Sequence, residues 1–287
     1  MLARYGLEAK KSWGQNFLVD RNVHARIARA AALTADDVVV EIGAGLGTLT
    51  TVLLHNAPPP RRLIAVERDP DMLTVLRAEL GGQPNFELRA EDAVQFDFRR
   101  EAEAAGRPIV VVGNLPYQIT TALLFSIIDA GDAVARAIVM VQREFADRVV
   151  APAGSKIYGR LSVMVAQAMD ARMAFPVSPG AFHPRPRVDS AVLSLARRPM
   201  PLAPVRDGAL FARVVKETFS TRRKMLRGSL AHAFGAEAAA AALDGSGVAG
   251  TRRPEELTIA EFARVADALV DALSACAGSG LPDAAGP

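Results

Sequence analysis

The sequence predicts an α/β protein: a mostly parallel central sheet covered by helices, followed by a small α-helical C-terminal domain. Three observations predict it. Short β-rich runs alternate with helical patterns over the first two-thirds of the chain. Those runs are apolar almost throughout, as strands buried on both faces are. The remainder turns helical after a stretch thick in Pro and Arg.

The strands are read at "VVVEIGAG" (38–45), "LIAVE" (63–67), "NFELRAED" (85–92), "IVVVGN" (109–114) and "AIVMVQ" (137–142). Between them, "LGTLTTVLLHNA", "PDMLTVLRAELG" and "ITTALLFSIIDAG" carry helical apolar spacing. Asp69 followed by Pro70 is a helix start, an N-cap with proline at the first position. Two further β-like runs, "ARMAFPVSP" and "VDSAVLSLARR", complete the sheet's edge, and "RRPMPLAPVRDG" (197–208) is the linker. Beyond it "ALFARVVKETFS", "RRKMLRGSLAHAF" and "ELTIAEFARVADALVDAL" are helices, the last opened by a capping box of Thr258 and Glu261. The Ala-biased "AEAAAAAL" also reads as helix. The expected boundaries are 1–200 for the sheet domain, 201–276 for the helical domain and 277–287 for a disordered tail.

With 287 residues, half of them apolar and 23% charged, the chain can bury a substantial core and reads as soluble and globular. Its formal net charge is only +3 although the pI is about 9.3, so the placement of Arg and Lys matters more than their surplus. The first residues lack the continuous apolar core of a signal peptide, and no later run is long enough to span a bilayer. Cys276 is the single cysteine and has no disulfide partner, so the expected location is cytoplasmic. His24, His55, His183 and His232 are scattered without metal-ligand spacing, and no metal is expected.

"EIGAGLGT" places Gly43, Gly45 and Gly47 at the carboxyl end of the first long strand, where ligands bind in doubly wound sheets. Glycines let the backbone press against a ligand without an intervening Cβ. The spacing G-x-G-x-G departs from the dinucleotide pattern. Glu67 closes the next strand, where a carboxylate accepts from both ribose hydroxyls, and Asp92 follows the third, placed to accept from an adenine amino group. A nucleoside suits these three sites. The fourth strand ends in "VVVGNLPY" and opens onto the same cleft. Pro116 biases Leu115 towards extended backbone and adds no donor. The Asn114 side-chain oxygen and the Leu115 carbonyl can then converge as acceptors, with Tyr117 as a flat face beside them. That shape fits a planar ring bearing an exocyclic amine. For an adenine N6, two acceptors favour a pyramidal nitrogen whose lone pair can face a sulfonium methyl, so catalysis would come mainly from positioning and electrostatics.

The ordered set "KKSWGQNFLVD", "VVVEIGAGLGTLT", "AVERD", "AEDA", "VVGNLPYQITTALLF", "FHPRPRVDSAV" and "FSTRRKMLRGSL" closely resembles the ribosomal RNA adenine N6,N6-dimethyltransferases of the KsgA/Dim branch, from about residue 10 to 275. The resemblance implies a Rossmann-like class I methyltransferase fold. It implies S-adenosylmethionine as cofactor, with S-adenosylhomocysteine as product and no metal. The implied substrate is two neighbouring adenosines in a hairpin loop near the 3′ end of small-subunit (16S) rRNA, each dimethylated, with a role in small-subunit assembly. The family's cofactor contacts fall on Asn16, Leu18, Gly43, Gly45, Glu67, Asp92 and Asn114, the last shared with the target site, so residues 1–19 become a cofactor- and RNA-contacting segment. Tyr117 would be one stacking face, and Phe182 matches the family's second aromatic; the other reading of Phe182 is an aromatic plug between domains. Ala44 stands where the family often has Pro.

Lys10 and Lys11, Lys156 and Arg160, Arg185 and Arg187, and Arg222, Arg223, Lys224 and Arg227 form basic clusters expected to contact RNA phosphates, the alternative for each being a solvated face. The 201–276 domain is accordingly expected to bind RNA. The partner is the small ribosomal subunit, with neither DNA nor membrane, and the default state is monomeric. Other readings remain: a macrolide-resistance-type methyltransferase acting on large-subunit (23S) rRNA, a DNA adenine methyltransferase, a small-molecule methyltransferase, and an assembly factor whose methylation is incidental. "NLPY" and "PRVDSAV" lean towards the small-subunit branch.

Overall fold

Asp20 sets where the first α-helix begins. Its carboxylate accepts from the N–H groups of Asn22 and Val23, capping α1 (Arg21–Ala31) directly after the short strand β1 (Phe17–Leu18). The sequence pattern described above assigns no element to this stretch. Val23, Ile27, Ala28 and Ala31 lie on one buried face of it, so amphipathic spacing rather than overall hydropathy marks the helix. The structure, a computed structural model, describes residues 2–10, 15–220 and 224–278.

The alternation then proceeds as read, with one helix added, α4: β2 (Val38–Ile42), α2 (Thr48–Leu54), β3 (Arg62–Glu67), α3 (Pro70–Leu80), β4 (Phe86–Ala90), α4 (Phe98–Ala105), β5 (Ile109–Asn114), α5 (Thr120–Asp129) and β6 (Val134–Gln142). After α6 (Arg143–Val149) and α7 (Arg160–Ala168) come β7 (Met169–Val177), β8 (Phe182–His183) and β9 (Ser190–Arg197). Seven strands form one sheet in the order β4-β3-β2-β5-β6-β9-β7. The first five in that order are parallel, and β9 runs antiparallel to both β6 and β7. Every residue of β2 is buried, which is why the run of valines does not alternate with polar residues. Asp69 caps α3 by accepting from the Asp71 N–H, with Pro70 at the first position, as the sequence predicts.

Strand order reverses at β2, with β3 on one side and β5 on the other, so the carboxyl ends of β2 and β5 open a crevice. Their backbones approach closely. A Cβ added at Gly113 would lie 2.4 Å from the Ile42 carbonyl oxygen. Gly113→Ala is therefore expected to destabilise the fold by roughly 1–3 kcal/mol, the usual range for overpacking. Thermal unfolding measures this, and an unchanged Tm would contradict the close approach.

The chain divides into two units: Met1–Asp147 with Met169–Arg197, and Arg148–Ala168 with Arg198–Pro287. This corrects the expected continuous domain over 1–200. Residues 148–168 join the second unit because their apolar side chains complete its core: Ala151, Tyr158 and Val163 pack into the cluster that holds Phe211, Val214 and Phe262. Gln167 adds a two-way bond to Ala203, Nε2 to the carbonyl at 2.6 Å and the N–H to Oε1 at 3.0 Å.

The second unit also contains α8 (Gly208–Ser220), α9 (Leu226–Phe234), α10 (Ala236–Ser246) and α11 (Ile259–Gly278). The helix expected from residue 222 starts at Leu226. The N–H groups of Leu226 and Arg227 donate to the carbonyls of Arg252 and Gly250, so the 250–252 turn satisfies that end where no side chain caps it. The Thr258–Glu261 capping box is formed, Thr258 N–H to Oε2 at 2.8 Å and Glu261 N–H to Oγ1 at 3.3 Å. Arg252 beside Glu261 holds that carboxyl down at about 2. Of the expected disordered tail, 279–287 lie outside the described residues.

Candidate active site

The crevice at the carboxyl ends of β2, β3 and β5 is a cavity lined by residues of the first unit alone. Gly43 and Gly45 take φ values of +71° and +55°, a region an L side chain rarely adopts. A Cβ at Gly43 would come within 3.5 Å of the Asn114 carbonyl oxygen, and one at Gly45 within 3.4 Å of the Phe17 ring. The turn thus leaves room that any other residue would fill.

Glu67 forms the second wall and shapes the first. Its Oε2 accepts from the Gly45 N–H at 2.9 Å, and Oε1 accepts from the N–H groups of Arg68 (2.8 Å) and Asp69 (2.9 Å). A carboxylate offers about four lone-pair sites, so acceptor capacity remains for a hydroxyl. Asp92 accepts from the Val94 N–H at 3.0 Å and pairs with the Arg68 guanidinium at 2.9 Å. With side chains 50% and 34% exposed, the Arg68–Asp92 pair is weakly held and can yield Asp92 to another donor.

In the segment after β5, the Leu115 N–H donates to the Met140 carbonyl at 3.0 Å. The Pro116 carbonyl takes the Ile119 N–H and the Thr120 hydroxyl. Among the described residues none donates to the Leu115 carbonyl. Asn114 Nδ2 donates to the Asn16 carbonyl at 3.3 Å, which commits its amide nitrogen and leaves Oδ1 as the acceptor. The Tyr117 hydroxyl lies 2.9 Å from Ser190 Oγ, a buried serine at the start of β9. Burial raises the phenol's pKa, partly offset by that bond, so Tyr117 is neutral and its ring is tethered.

Asn16 and Leu18 reach the cavity because β1 pairs antiparallel with β8, Leu18 opposite Phe182, and the Val19 N–H donates to the Ala181 carbonyl at 2.8 Å. Two further lining residues carry chemistry that the pattern reading missed. His24 is buried, its Nε2 3.3 Å from Thr48 Oγ1, and burial lowers its pKa. Glu41 is 1% exposed, with Oε2 unpartnered among the described residues. An acid inside a run of valines was the available signal for it.

Burial pushes the Glu41 carboxyl up to about 8, and the Glu67 charge adds to the shift. The folded state therefore keeps this proton while the unfolded chain releases it near the ordinary glutamate value, so this residue's contribution to stability falls as pH rises from about 4.5 towards 8. Glu41→Gln is expected to match the parent near pH 5 and to exceed its stability at pH 8 by at least about 1–2 kcal/mol. Denaturant midpoints at the two pH values measure the difference, and a constant difference would refute the assignment.

Comparison with known proteins decides the family. The family described as "Ribosomal RNA adenine dimethylase" matches residues 6–271. A relative from Anaeromyxobacter dehalogenans (strain 2CP-C), named ribosomal RNA small subunit methyltransferase A, is 46% identical over 94% of this chain and 96% of its own. One of the same name from Myxococcus xanthus is 44% identical, covering 94% of each. The crystal structure of the 23S rRNA methyltransferase ErmE is 31% identical with a TM-score of 0.67, covering 89% of this chain and 100% of its own. The chain belongs to the ribosomal RNA adenine dimethylase family.

The fold is accordingly that of a Rossmann-like class I methyltransferase. In this adenine dimethylase, Asn16, Leu18, Gly43, Gly45, Glu67, Asp92, Asn114, Leu115, Pro116 and Tyr117 line one cavity. Phe182 does not. It is 3% exposed and belongs to the hydrophobic cluster of the first unit with Leu18 and Ala181, rather than to the cavity lining where a second stacking face was expected. The backbone pairing of β8 with β1 accounts for its position: Phe182 sets the register that brings Leu18 to the cavity.

The basic residues divide between the units. Arg185 and Arg187 are exposed in the first, and Lys156, Arg160, Lys224 and Arg227 are exposed in the second. Lys10 is instead engaged with acids, its Nζ 2.6 Å from both Asp69 and Asp71. Lys11, Arg222 and Arg223 lie outside the described residues. Among the described residues, no group of three or more His, Cys, Asp or Glu side chains is placed to hold a metal ion, and no helix is long and apolar enough to cross a membrane.

Proposed function

We propose that this chain dimethylates the N6 amines of two adjacent adenosines in the 3′-terminal hairpin loop of small-subunit rRNA, with S-adenosylmethionine as methyl donor. When bound, that cofactor supplies a methyl group on a positively charged sulfur. The residues present fit it. The glycine turn leaves open the space a Cβ would take, Glu67 retains acceptor capacity for a ribose hydroxyl, and Asp92 can accept from the adenine amine once Arg68 yields. Gly43, Gly45, Asn16 and Leu18 complete its bed.

The observation that carries the reading is the pair of open acceptors beside the tethered ring. The Leu115 carbonyl has no described donor, and the Asn114 amide nitrogen is committed to Asn16. These oxygens would receive the two N6 hydrogens of an extruded adenine while its ring rests on Tyr117, a stacking contact of about 1–3 kcal/mol per base. An unpaired loop base is the least expensive to extract. Both acceptors favour a pyramidal nitrogen, and the methylated aminium is acidic enough to lose its proton without a strong base. Neutral Tyr117 is suited to stacking rather than to proton transfer.

The exposed basic residues of the second unit support a helical domain that holds rRNA phosphates, affecting affinity and salt dependence more than chemistry. The small-subunit assignment is supported by relatives of that name at 46% and 44% identity, against 31% for the 23S enzyme. A role in small-subunit assembly, a cytoplasmic location and a monomeric state belong to the same reading. The deciding experiment is transfer of labelled methyl to undermethylated small ribosomal subunits, with large subunits as control. Label recovered as N6,N6-dimethyladenosine in small-subunit RNA is the expected result. Label on large subunits would move the activity to the resistance-type reading. No label on either, despite cofactor binding, would leave assembly as the function.

A further inference from the structure

Asp69 is fully buried, two residues beyond Glu67, and its side chain is not part of the cavity lining. Capping α3 needs one acceptor, and the Asp71 N–H supplies that bond at 3.0 Å to Oδ1. The remaining capacity of the carboxylate is taken by the N-terminal segment. Lys10 Nζ lies 2.6 Å from Oδ1, and Gln15 Nε2 lies 2.6 Å from Oδ2. The two donors are also closed on each other: the Lys10 N–H donates to Gln15 Oε1 at 2.9 Å and the Gln15 N–H to the Lys10 carbonyl at 3.5 Å. Asp71 adds a second ion pair to Lys10 at 2.6 Å. Burial pushes the Asp69 carboxyl up, but Lys10, the Asp71 N–H and Gln15 together outweigh it and hold the group below the usual carboxylate range.

Both ends of this knot lead into the cavity. Gln15 is followed directly by Asn16, whose carbonyl accepts from Asn114, and then by Leu18, which lines the cavity. On the other side, the backbone N–H of Asp69 donates to Glu67 Oε1 at 2.9 Å. One residue therefore holds the side chains of the N-terminal segment and the carboxylate at the end of β3.

We infer that Asp69 is a positioning residue for the cofactor site, fastening Lys10 and Gln15 to the turn between β3 and α3 so that Asn16, Leu18 and Glu67 act as one rigid wall. This rests on the reading of the cavity as an S-adenosylmethionine site. Such a wall lowers the ordering required on binding. Its loss weakens cofactor affinity and leaves the transfer step at saturating cofactor nearly unchanged, since neither Asp69 nor Lys10 is part of the cavity lining.

The test is calorimetric binding of S-adenosylhomocysteine, without RNA, to the parent and to Asp69→Asn, Gln15→Leu and Lys10→Met. Hydrogen exchange of peptides covering Gln15–Leu18 and the split of KM for cofactor against kcat accompany it. Asp69→Asn is expected to weaken binding about tenfold and each partner variant about threefold, with kcat within about twofold. Exchange at Gln15–Leu18 should accelerate without cofactor present. Combining Asp69→Asn with Gln15→Leu should add little, because both remove one interaction. Gln15→Leu and Lys10→Met leave the α3 cap intact and serve if Asp69→Asn fails to fold. Because Gln15 lines the cavity whereas Lys10 does not, weaker binding in Lys10→Met decides for positioning over direct contact. Unchanged affinity in those two variants would reduce Asp69 to a helix cap and overturn the inference. If the parent itself does not bind S-adenosylhomocysteine, the cofactor reading fails and the inference falls with it; faster exchange in the variants would then show a purely structural tie.

Discussion

Asn114→Ala should lower the rate of methyl transfer by at least about a hundredfold, the scale seen when one preorganised polar group is removed from a reacting centre. The substitution deletes the Oδ1 acceptor and also the Nδ2 bond to the Asn16 carbonyl. Because Asn114 is half-buried at the end of β5 rather than in its middle, the Tm should move by only a few degrees. Asn114→Asp keeps an acceptor for the amine and loses the donor to Asn16, so it should retain more transfer than the alanine variant. Single-turnover transfer to undermethylated small subunits separates the two. A rate near the parent's in Asn114→Ala would remove the two-acceptor geometry from the mechanism.

Glu67→Ala should weaken S-adenosylhomocysteine binding by two orders of magnitude or more and lower stability by about 2–4 kcal/mol. The stability loss has a local origin. The N–H groups of Gly45, Arg68 and Asp69 all donate to this carboxylate, and its removal leaves them facing a small cavity. The affinity loss combines the missing ribose acceptor with relaxation of the glycine turn. Binding calorimetry and thermal unfolding of the same preparation distinguish them: added ligand restores stability only in proportion to its residual affinity. Retained affinity would mean that the carboxylate serves the turn alone. Loss of affinity with an unchanged Tm would mean that it serves the ligand alone.

The two variants also separate kinds of legibility. The placement of Asn114 was readable because an apolar strand that breaks into Asn-Leu-Pro-Tyr breaks for a local reason, and proline constrains its neighbours wherever it occurs. The second duty of Glu67, as acceptor for its own turn, was not readable. It depends on Gly45 approaching from a different strand end, 22 residues away. The Asp92 pair with Arg68 spans 24 residues and was hidden for the same reason. Helix α1 was missed through a different fault: its average polarity concealed a regular apolar face.

By itself the sequence determined the sheet's strands, the helix starts at Asp69 and Thr258, the glycine turn and the segment after β5. Each is set by local sterics, capping or periodicity, which act within a few residues. The tertiary structure alone decided that Lys10 meets Asp69 rather than solvent. It alone placed Phe182 in the core as the backbone partner of Leu18, and assigned residues 148–168 to the second unit. Those outcomes depend on pairing and packing between segments up to about 165 residues apart, as in the β1–β8 register, and long-range contacts of that kind leave no periodic trace in the chain.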